Sequence, residues 1–230
     1  MKFEIELFRS VSNSMELNQD WGRAVGQQKY MKSKLPFWGI KMPQVRKLTD
    51  ACLKKNPLQN NIHYRNSIRF FFNNAKKREE WYAAAHIAQR HKNYICESNL
   101  DIYLEMIMTA QWWDIVDSTA TLLVGPAIKE SIQFRHYIKS WIIHDNFWIR
   151  RTAILSQLKY KEDTNEKLLY SIILKCADEK EFFIRKAIGW GLREYAKTNP
   201  KSVKKFVENN ENNLSNLSKR EALKHFKTQD

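Results

Sequence analysis

With 230 residues, 43% of them apolar, the chain can bury a sizeable core as one large domain or a short repeat array. Lysine and arginine total 39 against 25 aspartates and glutamates, a formal charge of +14 that points to a polyanionic partner. The positive charge is spread along the chain rather than gathered in one basic helix or tail, and no apolar run approaches the ~18 residues of a bilayer span, so DNA is expected before membrane and the cytoplasm is the expected compartment. Three widely spaced cysteines (Cys52, Cys96, Cys176) imply no disulfide framework, and the histidines, with His86 and His91 five apart on diverging helix faces, supply no metal-ligand spacing. No metal and no cofactor are expected.

Reading along the chain, Leu35 to Pro43 is a non-helical loop, with Pro43 in the first turn of the helix that follows. Asn56-Pro57 ends that helix. Ser67, Ile68, Phe71 and Phe72 then mark one face of another helix, and Lys92-Asn93 breaks the chain again. Ile102, Tyr103, Met106 and Ile107 repeat the same i, i+1, i+4, i+5 stripe 35 residues on. It recurs at Tyr137, Ile138, Trp141 and Ile142, and again at Ile172, Ile173, Cys176 and Ala177, each a further 35 residues along.

The second half of each unit repeats too. Trp113, Trp148 and Phe183 are each 35 apart, and Trp148-Ile149-Arg150-Arg151 matches Phe183-Ile184-Arg185-Lys186. Gly125-Pro126, Lys161-Glu162-Asp163 and Asn199-Pro200 read as turns or helix ends, and Glu208 to Asn213 as a linker before a last short helix that includes Lys219 to Phe226. A 35-residue period holding two helices predicts an all-α fold: tandem HEAT-like or TPR-like helical repeats forming a curved α-solenoid, one domain over residues 1–230. Arg150-Arg151 and Arg185-Lys186 occupy equivalent repeat positions. They are therefore expected to stack as a basic track on the concave face, suited to a phosphate backbone.

Chemistry is concentrated in Gln111-Trp112-Trp113-Asp114-Ile115-Val116-Asp117-Ser118. On a helix, Trp113 and Asp117 are i, i+4 neighbours, and an indole beside a carboxylate suits a cationic ligand. Spacing leaves open the alternative of a core tryptophan and an aspartate that caps, or sits in the first turn of, a helix beginning near Asp114.

These residues bring out a resemblance. The chain resembles the bacterial alkylpurine DNA glycosylases built from HEAT-like repeats, the AlkD-like family, over nearly its whole length. The similarity is dense at Tyr30-Met31-Lys32, Phe37 to Ile40, Trp112-Trp113-Asp114 with Val116-Asp117-Ser118, Asp145-Asn146 with Trp148, and Ala153-Ile154-Leu155. It continues through Gln157 to Lys161, Glu181 to Ile184, Lys186 to Trp190, Leu192 to Pro200, and Leu217 to Ala222. The resemblance implies that Trp113 and Asp117 are the catalytic aromatic and carboxylate, that Arg151 is the active-site arginine, expected to hold a phosphate, and that Trp190 is a second aromatic at the lesion. Tyr30 matches a DNA-facing tyrosine. Arg150, Phe182, Phe183, Arg185, Lys186 and Lys159 complete the expected DNA-contacting set.

The implied activity is hydrolysis of the N-glycosidic bond of purines alkylated at N3 or N7 in double-stranded DNA, by a monomer that associates with the nucleoid when bound. Two other classes stay open. A non-catalytic DNA-structure binder would keep the basic track without a working Trp113–Asp117 pair, and a protein-scaffolding solenoid would need neither.

Overall fold

The computed structural model describes residues 1–228, apart from the side chains at 225, 227 and 228. Among these residues every regular element is helical. Contacts concentrate in two compact units, Met1–Thr109 and Ala110–Asp230.

The first unit contains α1 (Lys2–Glu16), α2 (Trp21–Met31), α3 (Met42–Lys55), α4 (Asn61–Asn74), α5 (Arg78–Arg90) and nearly all of α6 (Leu100–Ala110). Leu7, Val11 and Met15 recur every four residues on α1 and are fully buried, so that helix is held by one apolar face against α3 and α4. Between α2 and α3 the expected loop is present, and Pro43 lies in the first turn of α3. Phe37, Trp38 and Ile40 bury their side chains, which leaves the loop's amides without helical partners. Glu79, itself fully buried, supplies them: its carboxylate accepts from the N–H groups of Trp38, Gly39 and Ile40 at 3.1, 2.9 and 3.1 Å. Burial pushes the Glu79 carboxyl above its ordinary range, and the amide hydrogen bonds work against that rise. Gly39 is required at its position, since its φ is +89° and a Cβ would stand 2.0 Å from the Asp20 carbonyl oxygen.

The second unit contains α7 (Trp113–Thr119), a π-turn (Ala120–Val124), α8 (Gly125–Ile128), α9 (Phe134–Trp141), α10 (Phe147–Leu155), α11 (Glu166–Lys175), α12 (Phe182–Tyr195), α13 (Pro200–Asn209) and α14 (Asn216–Ala222). Helix α10 packs against α7, α9, α11 and α12. The four apolar stripes occupy α4, α6, α9 and the α11 end as the period predicts. Ile68, Ile102, Tyr103, Met106, Ile107, Ile138, Ile172, Ile173 and Cys176 are all at most 2% exposed, and only Tyr137 is half-buried. Three helices of the second half-repeats, α7, α10 and α12, begin at 113, 147 and 182, close to the 35-residue spacing. The all-helical repeat architecture expected from the periodicity is thus the one observed.

Two punctuation signals behave differently from expectation. Gly125-Pro126 does not end a helix; α7 runs through the π-turn into α8. The Gly125 amide reaches back five residues to the Ala120 carbonyl, and this shifted register leaves Pro126 in a first turn, where a missing N–H costs little. Gly125 itself is dictated by packing, since a Cβ there would lie 2.2 Å from the Ser156 carbonyl oxygen. The linker before the last helix is also shorter than expected, because α13 continues through Asn209 on buried Val203, Phe206 and Val207. None of the described helices is long and apolar enough to cross a membrane.

Candidate active site

Helix α7 sorts its residues into two faces. Ile115, Val116 and Thr119 are buried, while Trp113, Asp114, Asp117 and Ser118 line the partly exposed side. The N-cap position of α7 is Trp112, with no side-chain cap, and within the first turn the Asp114 carboxylate accepts from the Ile115 N–H at 2.9 Å. Trp113 and Asp117 therefore do share an accessible face, one turn apart, and the capping alternative for Asp117 is not what the helix uses.

The start of α7 is tied to the starts of α10 and α12 by aromatic rings. Trp112 packs on Trp148 (centroids 6.1 Å apart) and Phe183 (5.4 Å), Trp148 on Phe183 (4.9 Å), and Phe147 on Trp148 (4.6 Å). The recurrence of an aromatic every 35 residues builds this cluster, with one adjustment. In the first of the three helices the bridging ring is Trp112, the residue before the one in register. Trp113 is left half-buried at the edge of the site. The period puts Trp113, not Trp112, in register with Trp148 and Phe183, so Trp112 was not legible as the structural one.

Within this frame Arg151 projects from α10 toward α7. Its Nε donates to Asp117 Oδ1 at 2.7 Å and its Nη2 to Asp117 Oδ2 at 2.8 Å, while Nη1 donates to the Phe183 carbonyl oxygen. The guanidinium also faces the Phe183 ring at 5.9 Å. Arg151 is 4% exposed, so this is a nearly buried fork-to-fork ion pair with every guanidinium nitrogen engaged. The expectation that Arg151 holds a phosphate changes accordingly: in the structure its partner is Asp117. Burial pushes the Asp117 carboxyl above the ordinary aspartate range. Arg151 pulls the other way, and the Asp114 charge adds to the rise.

The remaining predicted residues divide. Trp190 lies half-buried on α12, seven residues and two turns beyond Phe183 on the same helix face. Phe182 is 50% exposed beside Phe183, and Lys159 is exposed just beyond α10. Tyr30 belongs to the first unit, where it stands 74% exposed near the end of α2.

The basic track is largely neutralised from within. Arg150 forks onto Glu179 at 2.9 and 2.7 Å and also donates to the His144 and Asp145 carbonyl oxygens. Lys186 pairs with Glu221 at 3.1 Å. Repeat-to-repeat variation supplied carboxylates that no cation pattern reveals. Glu179 was missed for this reason. A cavity of about 220 Å³ between the C-terminal parts of α10 and α12, lined by Ile154, Gln157, Leu158 and Tyr195, contains none of the site's aromatic or charged residues and is not where this chemistry sits.

A carboxylate in a partly dry setting beside an indole stabilises positive charge that develops within its reach. A protein-family model described as DNA alkylation repair enzyme matches residues 11–226. The fold is similar to a solved structure described as a predicted DNA alkylation repair enzyme from Enterococcus faecalis. That likeness has a TM-score of 0.81 and 30% sequence identity, over 90% of this chain and 96% of that one. No curated protein matched the sequence.

Proposed function

The chain belongs to the DNA alkylation repair enzyme family, and on that premise we propose that it is a DNA glycosylase. In this reading it hydrolyses the N-glycosidic bond of cationic N3- or N7-alkylated purines in double-stranded DNA and leaves an abasic site. The observation that carries the reading is the Asp117 carboxylate, fixed bidentately by Arg151 one helical turn from half-exposed Trp113.

The reaction asks for this arrangement. An alkylated purine bears a positive charge, so when its bond to C1′ breaks, the electron pair goes to the base and the base leaves neutral. No general acid is needed, in contrast with sugar hydrolases that use two carboxylates. The charge that appears is on the sugar. Asp117, held in place by Arg151, faces it as a preorganised negative group, and a water oxygen then bonds to C1′ and gives up its proton by way of the carboxylate. Trp113 and Trp190 offer π-faces to the cationic nucleoside. Burial makes Asp117 a stronger base than a solvated aspartate, and Arg151 favours its charged form. Tyr30, Phe182, Phe183 and Lys159 serve DNA contact in this reading, with the protein acting as a monomer on the duplex.

A second reading has one observation in its favour. Both Asp117 oxygens are engaged by Arg151, as they would be if the pair were only a structural clamp in a non-catalytic DNA-binding protein. Lesion selectivity separates the two. Glycosylase action driven by substrate charge releases 7-methylguanine and 3-methyladenine but leaves uracil, a neutral base, in the duplex. Chromatography of bases released from duplexes carrying each lesion measures this. Efficient uracil release would contradict the charge-based mechanism, and release of no base would favour the clamp.

A further inference from the structure

The 35-residue register lets each cation be compared with its counterpart one repeat along. Arg150 is matched to Glu179, and the same shift carries Arg150 to Arg185 and Glu179 to Leu214. The carboxylate that neutralises the first arginine is therefore a buried leucine at the second, 4% exposed. Among the described residues the Arg185 guanidinium makes no hydrogen bond or ion pair, and its Nε is buried without a partner. A charged donor so placed lacks compensation for the water it has lost.

The surroundings add no negative charge to spare. The neighbouring Glu221 carboxylate is already shared by Lys186, Arg193 and Lys224, three cations on one anion. Ser218, which sits between the helices, donates its hydroxyl to the Arg185 carbonyl oxygen at 2.9 Å and so fixes the backbone beneath the side chain. One turn before Arg185 on α12 is Phe182, half exposed.

We propose that, of the four cations of the expected basic track, Arg185 is the one that takes a phosphodiester oxygen of duplex DNA, the contact that the resemblance implies for Arg151. Of the four cations at these repeat positions, Arg150, Arg151 and Lys186 have their charge met inside the protein; the Arg185 guanidinium has no such partner among the described residues. The assignment rests on the DNA-binding reading above but not on base excision.

The test is equilibrium binding of an undamaged duplex followed by fluorescence anisotropy over a salt series, on protein whose melting temperature is checked for each variant. One phosphate contact contributes about 0.9 to the log–log salt slope. Arg185→Gln is expected to lower the slope by about that amount, so that the affinity lost between ~50 and ~200 mM salt shrinks by a factor of about 3–4. Arg185→Lys keeps the charge and should keep the slope. Arg150→Gln, which removes an internally paired cation, should leave it unchanged. A wild-type slope for Arg185→Gln overturns the assignment while leaving DNA binding intact, and equal losses for Arg150→Gln and Arg185→Gln overturn the neutralisation argument. Failure of the wild-type protein to bind duplex DNA would remove the underlying reading together with it.

Discussion

Replacing Asp117 with asparagine is expected to slow excision of 7-methylguanine by about 10²–10³, the usual cost of losing one preorganised electrostatic partner at a reacting centre. Asparagine keeps the shape of the side chain and its place one turn from Trp113. It loses the negative charge that opposes the sugar cation in the proposed reaction. On spacing alone the change looks innocuous to the fold; the structure says otherwise. An amide nitrogen would face a guanidinium nitrogen where Asp117 now accepts two hydrogen bonds, leaving the nearly buried Arg151 charge uncompensated. A stability loss of about 1–3 kcal/mol should accompany the rate loss. Single-turnover release, measured on protein shown by circular dichroism to be folded at the assay temperature, separates the two effects. A folded Asp117→Asn protein with wild-type release would detach Asp117 from catalysis.

Removing the other half of the pair should damage stability more than any other change at the site. Arg151→Ala leaves Asp117, its side chain 17% exposed, without its counter-charge, for which about 3 kcal/mol, the lower end of the cost for a fully buried charge, is expected. The pH dependence has a definite sign. Burial already raises the Asp117 carboxyl and Arg151 is the group that lowers it, so the variant's carboxyl moves further up. A carboxyl whose folded-state pKa lies above its unfolded value contributes stability that is complete below the unfolded value and is lost as pH rises through the folded one. Urea unfolding should therefore show a larger deficit relative to wild type at about pH 8 than at about pH 5. The acid limb of any residual excision should move to higher pH in the same variant. A deficit that does not change with pH would mean that the two side chains are not electrostatically coupled.

The fold was legible because its signal repeats. Four apolar stripes at one interval specify helix pairs more firmly than any single amphipathic segment, and their buried residues are those the stripes name, from Ile68 to Cys176. Failures of reading came where tertiary packing overrides local chemistry. Gly125-Pro126 has the composition of a turn, but its glycine admits the Ser156 carbonyl and its proline follows a π-turn, neither of which has a pattern in one dimension.

The site was half legible. Its catalytic candidates were named from the resemblance, and the helical spacing of Trp113 and Asp117 gave their shared face. Pairing was not readable. Arg151 and Arg150 look alike in sequence, and their different fates depend on Asp117 and Glu179, which lie 34 and 29 residues away. Charge counting for the same reason overstated the basic track, because a formal excess of cations does not say which are already matched.

The proposed glycosylase activity is tested most directly by what the wild-type protein does to methylated duplex DNA. The measurement is single-turnover incubation with a duplex carrying one 7-methylguanine, scored at once for the free base and for the abasic strand. A glycosylase yields both products in equal amount, and that is the expected result. A protein that binds this duplex tightly and yields neither would contradict it, and would leave Asp117 and Arg151 as a structural clamp.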